Sequence, residues 1–429
     1  MVGNAIRSLA LLLPLAVAAD SPAAEPGVPD PPLDYSQSVD QWWAGHPMNP
    51  SSSNYLAEIA SPKPVIDLAD HAGDLQQAID ALPAAGGTIR IPAGVHSGGF
   101  EMVGRKNIHL IGDKGAVISG KENYVIGAEK NHHYHEFNVA VMQGQAEATS
   151  LLRDLPSSNI CFKNIVFEQS PVRLACSRAV LFDGCTFRQP ENRNVGDKDA
   201  QGKKVLRWWR PLPVTGIMGI RSIWFRDCEF AGHHANAIYL DGPHGSGMVN
   251  CRFAGVDRLW DNAVILFTND DLSLDIDGDE KLSPYERRDT RYFVFDGCSF
   301  GQGYKRGAIA VSGRDVLVQN CKVEGKLDTL MVVNAKTSGR EIYYESFGVK
   351  AINNQLPQVA SVITAEGARN RPKQGVPDWW VWTKYKIGHF EIRNNLMPAG
   401  AKPLREIPND SEILGPHVIS GNGPEAGSP

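Results

Sequence analysis

"SIWFRDCEF", residues 222–230, recurs in altered form as "GMVNCRF" at 247–253, "YFVFDGCSF" at 292–300 and "VLVQNCKV" at 316–323. Each copy alternates apolar and polar residues, as a strand with one buried face does. Each also places Asp, Asn or Gly before a cysteine. Counted from Cys185, these cysteines are 43, 23, 47 and 23 residues apart. A 23-residue repeat with two insertions accounts for every interval.

A repeat of this length, built from short strands, indicates a solenoid. The leucine-rich-repeat consensus is absent, whereas a parallel β-helix fits, because each turn contributes short strands that pair with those of the next. Identical side chains then stack about 4.8 Å apart. The predicted fold class is all-β, a right-handed parallel β-helix with about 23 residues per turn. Asn354 in "VKAINNQL" and Asn395 in "FEIRNNLM" fall at the cysteine position of the pattern.

One helix precedes the repeats. "DLQQAIDALP" has apolar residues at helical spacing, begins near Asp74 and ends at Pro83. The longer stretch "LQQAIDALPAAGGTIRIPAG", residues 75–94, resembles the N-terminal cap and first coil of the pectate-lyase-like right-handed parallel β-helix superfamily. The resemblance implies a β-helix with a short N-terminal capping helix. It leaves the activity open, because this superfamily hosts lyases, hydrolases, esterases, epimerases and binding proteins.

Near the start of the chain, the basic Arg7 precedes an apolar run at 9–18 that ends in the small-residue cleavage site Ala16-Val17-Ala18, and together these predict a secretory signal peptide. No later apolar run is long enough to span a bilayer, so we expect a soluble protein, secreted or periplasmic. The net charge of −5 without a basic stripe argues against a nucleic-acid partner, and a monomer is expected. The predicted divisions are a signal peptide (1–18), an extended lead-in (19–64), the β-helix (65–400) with insertions near 190–212 and 268–290, and a C-terminal tail (401–429).

The seven cysteines are an odd number, so at least one lacks an intrachain partner. Disulfides are possible in an exported protein. A column of inward-facing cysteines is better explained as a stack of small apolar side chains. We therefore interpret the repeating cysteines as buried thiols.

The second strand of each turn aligns as "HANAIYLD", "WDNAVILF", "KRGAIAVS" and "LDTLMVVN". In this alignment Asp261, Arg306 and Asp328 share a column, with Trp260 and Lys305 in the column before it. One interpretation is an ion-pair ladder between adjacent turns. The other is a substrate groove in which cations and carboxylates line one face.

The segment "GHHANAIYLDGPHGSG" carries His234, Asp241 and His244, side chains that can perform acid–base chemistry. The alternative is that the histidines cap turns and bond to the backbone. Trp208 and Trp209 lie in the first insertion and, like Trp260, could either pack loops onto the helix or stack on sugar rings.

"DIDGDEKLSPYE", residues 275–286 and here called the acidic loop, has the ligand spacing of a helix-loop-helix calcium site. It departs from the pattern at Glu280, where glycine is usual. One interpretation is a structural calcium site, since a nearly saturated ligand set leaves little room for catalysis; the other is an acidic surface loop without a bound ion. The predicted ligands are Asp275, Asp277, Asp279, the carbonyl of Lys281, Ser283 and Glu286.

These features predict a secreted carbohydrate-active protein whose partner is a polysaccharide. The first choice is a lyase that cleaves a uronate-containing polymer by β-elimination, which needs a cation, a base and an acid. Arg306 would neutralise the uronate, Lys305 or His234 would be the base, and His244 or Tyr239 the acid. One alternative is a glycoside hydrolase, which needs paired carboxylates such as Asp241, Asp270 and Asp271. The other is a non-catalytic polysaccharide-binding protein.

Overall fold

The computed structural model describes residues 61–121, 123–126, 157–175, 177–188, 212–217, 220–232, 236–255, 260–267, 290–334, 345–366, 386–407 and 412–424. Within these ranges the chain forms 33 strands, one short 3-10 helix (Leu68–His71) and one α-helix, α1 (Leu75–Ala81). Every strand pair is parallel, and the strands are numbered in chain order.

The strands form three long sheets and one small sheet. Sheet A contains β1 (Val65–Asp67), β2 (Gly87–Ile91), β5 (Lys106–Gly112), β8 (Ser157–Lys163), β11 (Ser177–Asp183), β14 (Arg221–Arg226), β17 (His244–Val249), β20 (Thr290–Asp296), β23 (Gly313–Gln319), β27 (Lys350–Ile352), β30 (Glu391–Arg393) and β33 (Val418–Ser420). Sheet B contains β3 (Gly94–Gly98), β6 (Ala116–Gly120), β9 (Val166–Glu168), β12 (Thr186–Arg188), β15 (Glu229–Ala231), β18 (Arg252–Phe253), β21 (Ser299–Phe300) and β24 (Lys322–Val323). Sheet C contains β4 (Glu101–Val103), β7 (Asn123–Ile126), β10 (Val172–Ala175), β13 (Val214–Ile217), β16 (Ile238–Asp241), β19 (Trp260–Phe267), β22 (Tyr304–Val311), β25 (Leu327–Asn334), β28 (Val359–Glu366) and β31 (Lys402–Ile407). The small sheet contains β26 (Glu345–Phe347), β29 (Lys386–Gly388) and β32 (Glu412–Leu414).

The chain visits the long sheets in turn. β8 lies in sheet A, β9 in sheet B and β10 in sheet C, after which β11 returns to sheet A and pairs with β8 in parallel. The order of strands within each sheet follows the order of turns. The chain is therefore a parallel β-helix, as predicted.

The strands reach further toward the C-terminus than the sequence suggested. The first strand begins at Val65, at the predicted start of the β-helix. Beyond residue 400, however, β31 pairs with β28 and β33 pairs with β30. Part of the predicted tail therefore continues the β-helix. The predicted signal peptide, most of the predicted lead-in and nearly all of both predicted insertions lie outside the described residues.

The cysteine column of the sequence is a column in the structure. Cys185, Cys228, Cys251, Cys298 and Cys321 are all buried in the core. Their thiols face backbone carbonyls of the preceding turn, as Cys228 Sγ does at 3.4 Å from Phe182 O. All six cysteines among the described residues are free thiols. The interpretation as buried thiols is confirmed for them.

Asparagines continue this column in the last turns. Asn354 Oδ1 accepts a hydrogen bond from the Cys321 N–H (2.9 Å), and Asn395 Oδ1 accepts one from Asn354 Nδ2 (2.8 Å). Asn422 extends the series, since its Oδ1 accepts from Asn395 Nδ2 (2.8 Å). Because a buried amide must be satisfied, these contacts fix the alignment of successive turns.

Phenylalanines form a second internal stack. Phe187, Phe230, Phe253 and Phe300 lie on consecutive strands of sheet B, with neighbouring ring centroids 4.8–5.0 Å apart. The rings are offset by one strand spacing, the separation at which stacked aromatic pairs are favourable.

The backbone conformation explains why Asp, Asn or Gly precedes each cysteine of the column. Asp227, Asn250 and Asn320 have φ of 53–55°, and Gly184 and Gly297 have φ of 62° and 65°, all in the left-handed region. These residue types tolerate that region better than others. Each of these residues lies where the chain bends from sheet A into sheet B. The motif therefore recurs once in each coil of the β-helix.

The helix α1 forms where it was predicted. Asp74 caps its N-terminus by accepting from the Gln77 N–H (3.1 Å). Leu75 and Ile79 point into the same core as the sheets. The Arg105 guanidinium donates to the carbonyl of Ile79 (2.9 Å) at the other end of the helix. That α1 caps the N-terminal end of the β-helix remains a prediction.

Candidate functional site

The predicted site residues fall into three groups. His234, Trp208, Trp209 and the acidic loop lie outside the described residues. His244, Trp260 and Asp261 are described in their backbone only. Asp241, Lys305 and Arg306 are described in full, and all three belong to sheet C.

The outer face of sheet C carries a continuous row of side chains. Ile238 and Leu240 point into the core, so Tyr239 and Asp241 between and beyond them point outward. The strand register places one residue from each strand of sheet C in a single row that includes Tyr239. In order along the sheet this row is Tyr124, Arg173, Thr215, Tyr239, Ile265, Ala310, Val332, Thr364 and Arg405.

The longer strands of sheet C turn sharply in their middle. The Ser361 and Thr364 hydroxyl oxygens are 3.0 Å apart, although three residues of straight strand would span roughly 10 Å. Val362 and Ile363 between them both point into the core. The outer side chains before and after the turn therefore face each other across a concave surface, here called the corner groove.

Two ion pairs cross the corner groove. Arg306 and Asp328, which precede the turn, contact Glu366 and Arg405, which follow it. The Arg405 pair is bidentate, with Nη1 3.0 Å from Asp328 Oδ1 and Nη2 2.5 Å from Oδ2. Arg405 Nε also donates to Thr364 Oγ1 (3.1 Å). Each pair joins strands two turns apart.

The four charges form one cluster. The hydrogen bonds that Arg405 donates to the Asp328 carboxylate raise the pKa of Arg405, and the nearby charge of Glu366 contributes to the same shift. Both pairs remain partly exposed, with side-chain exposures of 41% for Arg306 and 24% for Glu366. With two cations and two anions the cluster has no net charge. Beneath it the groove floor is closed, since Val332 is only 3% exposed.

The turns toward the N-terminus present a different surface. Arg173 is buried, and its Nη1 donates to Leu212 O and to Thr215 Oγ1, both at 2.9 Å. Tyr239 is half-buried one turn beyond Thr215, and the buried Asp241 follows on the same strand. This part of the row combines a guanidinium, hydroxyls and a carboxylate.

The predicted columns are partly wrong. Asn262 pairs with Gly307 as aligned, but Trp260 pairs with Tyr304 rather than with Lys305. A register shift between Trp260 and Asn262 inserts one extra residue into β22, as a β-bulge does. Lys305 is exposed, and Arg306 forms an ion pair with Glu366 two turns away. The described side chains therefore do not form the ion-pair ladder between adjacent turns that the alignment suggested.

Asp241 and His244, which are three residues apart in one polar segment, belong to different sheets. Asp241 ends β16 in sheet C, whereas His244 begins β17 in sheet A and aligns with Arg221 and Arg291. The chain turns from one sheet into the next between them. The structure therefore brings Asp241, Lys305 and Arg306 to one sheet and assigns the backbone of His244 to another.

Four residues of the corner groove escaped the sequence analysis: Arg173, Thr364, Glu366 and Arg405. Glu366 is 60 residues from Arg306 in sequence, and no local pattern links them. An outward polar residue at the same place in successive aligned strands was the available signal. Aligning β28 and β31 with the four earlier strands would have found Thr364 and Arg405.

No group of three or more metal-binding side chains occurs among the described residues, and the acidic loop is not among them. The calcium prediction therefore stays a prediction.

In the same part of the chain no helix is long and apolar enough to cross a membrane.

No family model matches the chain, and no curated protein matches it. Solved parallel β-helix structures resemble it in fold. A Geobacillus virus E2 protein shares 12% identity over 82% of this chain with a TM-score of 0.45, and the chain spans 61% of its length. A surface adhesin of Streptococcus pneumoniae shares 10% identity over 85% of this chain and 92% of its own (TM-score 0.45). The A-module of an Azotobacter vinelandii mannuronan C-5 epimerase shares 15% identity over 84% and 99% (TM-score 0.42).

At these identities the likeness concerns the fold alone, and the activity has to be argued from the residues of this chain. The parallel β-helix implied by the resemblance to the pectate-lyase-like superfamily is the fold of this protein.

Proposed function

We propose that this protein is an exported carbohydrate-active enzyme that cleaves a uronate-containing polysaccharide by β-elimination. The observation that carries the proposal is the outer face of sheet C, where guanidinium, phenol and carboxylate groups lie on successive turns and two ion pairs cross the corner groove. A groove that runs along a solenoid axis suits a polymer, because each turn adds one more row of side chains.

β-Elimination requires that the uronate carboxylate be neutralised, that the C5 proton be removed and that the leaving oxygen be protonated. Arg306 is the proposed neutralising cation. Tyr239 is the proposed acid, in preference to His244, because its side chain belongs to the groove face. Lys305, which is exposed beside Arg306, and His234 remain the candidate bases.

Tyr239 and Arg306 lie on strands two turns apart, which is roughly 10 Å along the axis. The long side chains of Tyr239 and Arg306 would reach toward one uronate from these two strands. Asp241 follows Tyr239 on the same strand, but it is buried, so it has no proposed contact with the sugar. The acidic loop remains a proposed structural calcium site and has no part in the chemistry.

The test is incubation of the full chain with polygalacturonate, alginate, hyaluronate and a neutral glucan. Elimination yields an unsaturated uronate that absorbs in the ultraviolet, together with one new reducing end per cleavage. New reducing ends without that absorbance would identify a hydrolase instead. Binding without any new reducing ends would identify a non-catalytic polysaccharide-binding protein, and either result would refute the lyase.

A further inference from the structure

The geometry points to a second role for the ion pairs: Asp328 and Glu366 stand in for substrate carboxylates, and a bound polyuronate displaces them from Arg405 and Arg306. The inference rests on the proposed function, because it concerns the same groove. It adds Arg405 as a second cationic subsite and names the two groups that compete with the substrate.

The position of the pairs is the first argument. Each pair runs from a strand before the turn to a strand after it, so both bridge the path that a polymer along the axis would take. The floor beneath them is closed, with Val332 and Thr364 3% and 2% exposed. A sugar chain reaches this part of the floor only when the pairs open.

The strength of the pairs is the second argument. Partly exposed ion pairs contribute only about 1.4- to 5-fold to an equilibrium constant, so they open at little cost. Asp328 is 45% exposed and can return to water when it is released. A uronate carboxylate offers the same pair of acceptor oxygens, and guanidinium groups bind carboxylates in a bidentate manner.

The charge balance is the third argument. In the free protein the two carboxylates cancel the charge of the two guanidinium groups, and in the complex uronate carboxylates take over that role while the displaced side chains turn toward solvent. Lys305, beside Arg306, is exposed and adds a positive charge at the edge of the cluster. A surface of this kind selects polymers that carry carboxylates over neutral ones.

The experiment measures the dissociation constants of the wild type and of the double variant Glu366→Gln/Asp328→Asn. The probes are polygalacturonate and alginate, with dextran sulfate as a non-carboxylate polyanion. The matched control is Glu229→Gln/Asp113→Asn, which neutralises the partners of Arg252 and Arg90 in ion pairs outside the corner groove.

If the inference holds, the double variant binds the polyuronates roughly 2- to 30-fold more tightly than the wild type, and the control binds like the wild type. Arg405→Gln weakens binding in both backgrounds. Melting temperatures of all variants establish that the compared proteins are folded.

Equal or weaker polyuronate binding by the double variant would overturn the inference, while depolymerisation by the wild type would leave the proposed function standing. An equal gain in affinity for dextran sulfate would also overturn it, since the effect would then be general charge attraction. Absence of polyuronate binding by every variant would overturn the inference and the proposed function together.

Discussion

Arg306→Gln separates a structural role of this side chain from a role in the reaction. The Arg306 side chain is 41% exposed and that of its partner, Glu366, is 24% exposed, so the pair is solvated and screened. Such pairs contribute about 0.2–1 kcal/mol to the free energy of unfolding. A loss of 1 kcal/mol lowers the melting temperature by about 2–4 °C in domains of 150–250 residues, and we expect no larger effect in this longer chain.

The expected effect on turnover is much larger. If Arg306 neutralises the uronate carboxylate, its removal deletes one preorganised charge donor in the transition state. Losing one such donor costs about 10²- to 10³-fold in kcat. The assay is the initial rate of ultraviolet absorbance on the preferred polyuronate, measured on protein whose folded fraction is known from a melting curve.

Arg252→Gln is the matched control, because Arg252 pairs with Glu229 at 2.6 Å with comparable exposure on the outer face of sheet B. We expect it to change the melting temperature by a similar small amount and to leave turnover unchanged. A fall of the melting temperature by more than about 5 °C for Arg306→Gln, with turnover per folded molecule intact, would refute the catalytic role. Arg306 would then be a structural ion-pair partner only.

Three further outcomes are expected. Burial lowers the pKa of His109 from 6.5 to about 4, so the folded state binds fewer protons than the unfolded state in this range, and stability falls by about 3 kcal/mol as the pH falls from 6.5 to 4. His109→Leu should flatten that dependence in urea titrations at several pH values. Asn354→Ala should cost roughly 2–6 kcal/mol of unfolding free energy, because it orphans buried backbone groups, and Asn354→Cys should cost less. Added calcium should raise the melting temperature by mass action, and Asp275→Ala/Glu286→Gln should abolish the rise; an unchanged rise would exclude the acidic loop.

The core of this fold could be predicted from the sequence because, in a solenoid, each turn is aligned only with its neighbouring turns in the sequence. A side chain that points inward in one turn meets the equivalent side chain of the next turn. The interval of 23 residues therefore sufficed to align Cys228 with Cys251 and Cys298 with Cys321. The same logic extended to Asn354 and Asn395, whose amides replace the thiols.

The groove could not be read in the same way, for two physical reasons. One extra residue in β22 shifts Lys305 away from Trp260, and a bulge leaves no reliable mark in an alternating pattern. The turn in the middle of the longer strands then brings Glu366 to Arg306 across 60 residues of sequence. Column-by-column alignment assumes straight strands, so it found the right sheet and paired the wrong partners.

The outer faces of the three long sheets differ in a way that singles out sheet C. Sheet A carries an apolar outer row that is itself buried, including Leu181, Trp224 and Val294. Several strands of sheet B are only two residues long, and they offer exposed pairs such as Glu229 with Arg252. In the described part of the chain, sheet C alone combines long strands, a sharp turn and charged groups that meet across it. Because the inward columns hold the turns in register, the outward residues of this face can change without disturbing the core. The specificity of the groove therefore resides in a few side chains on a fixed frame, and exchanging Glu366 or Arg405 should alter binding without altering the fold.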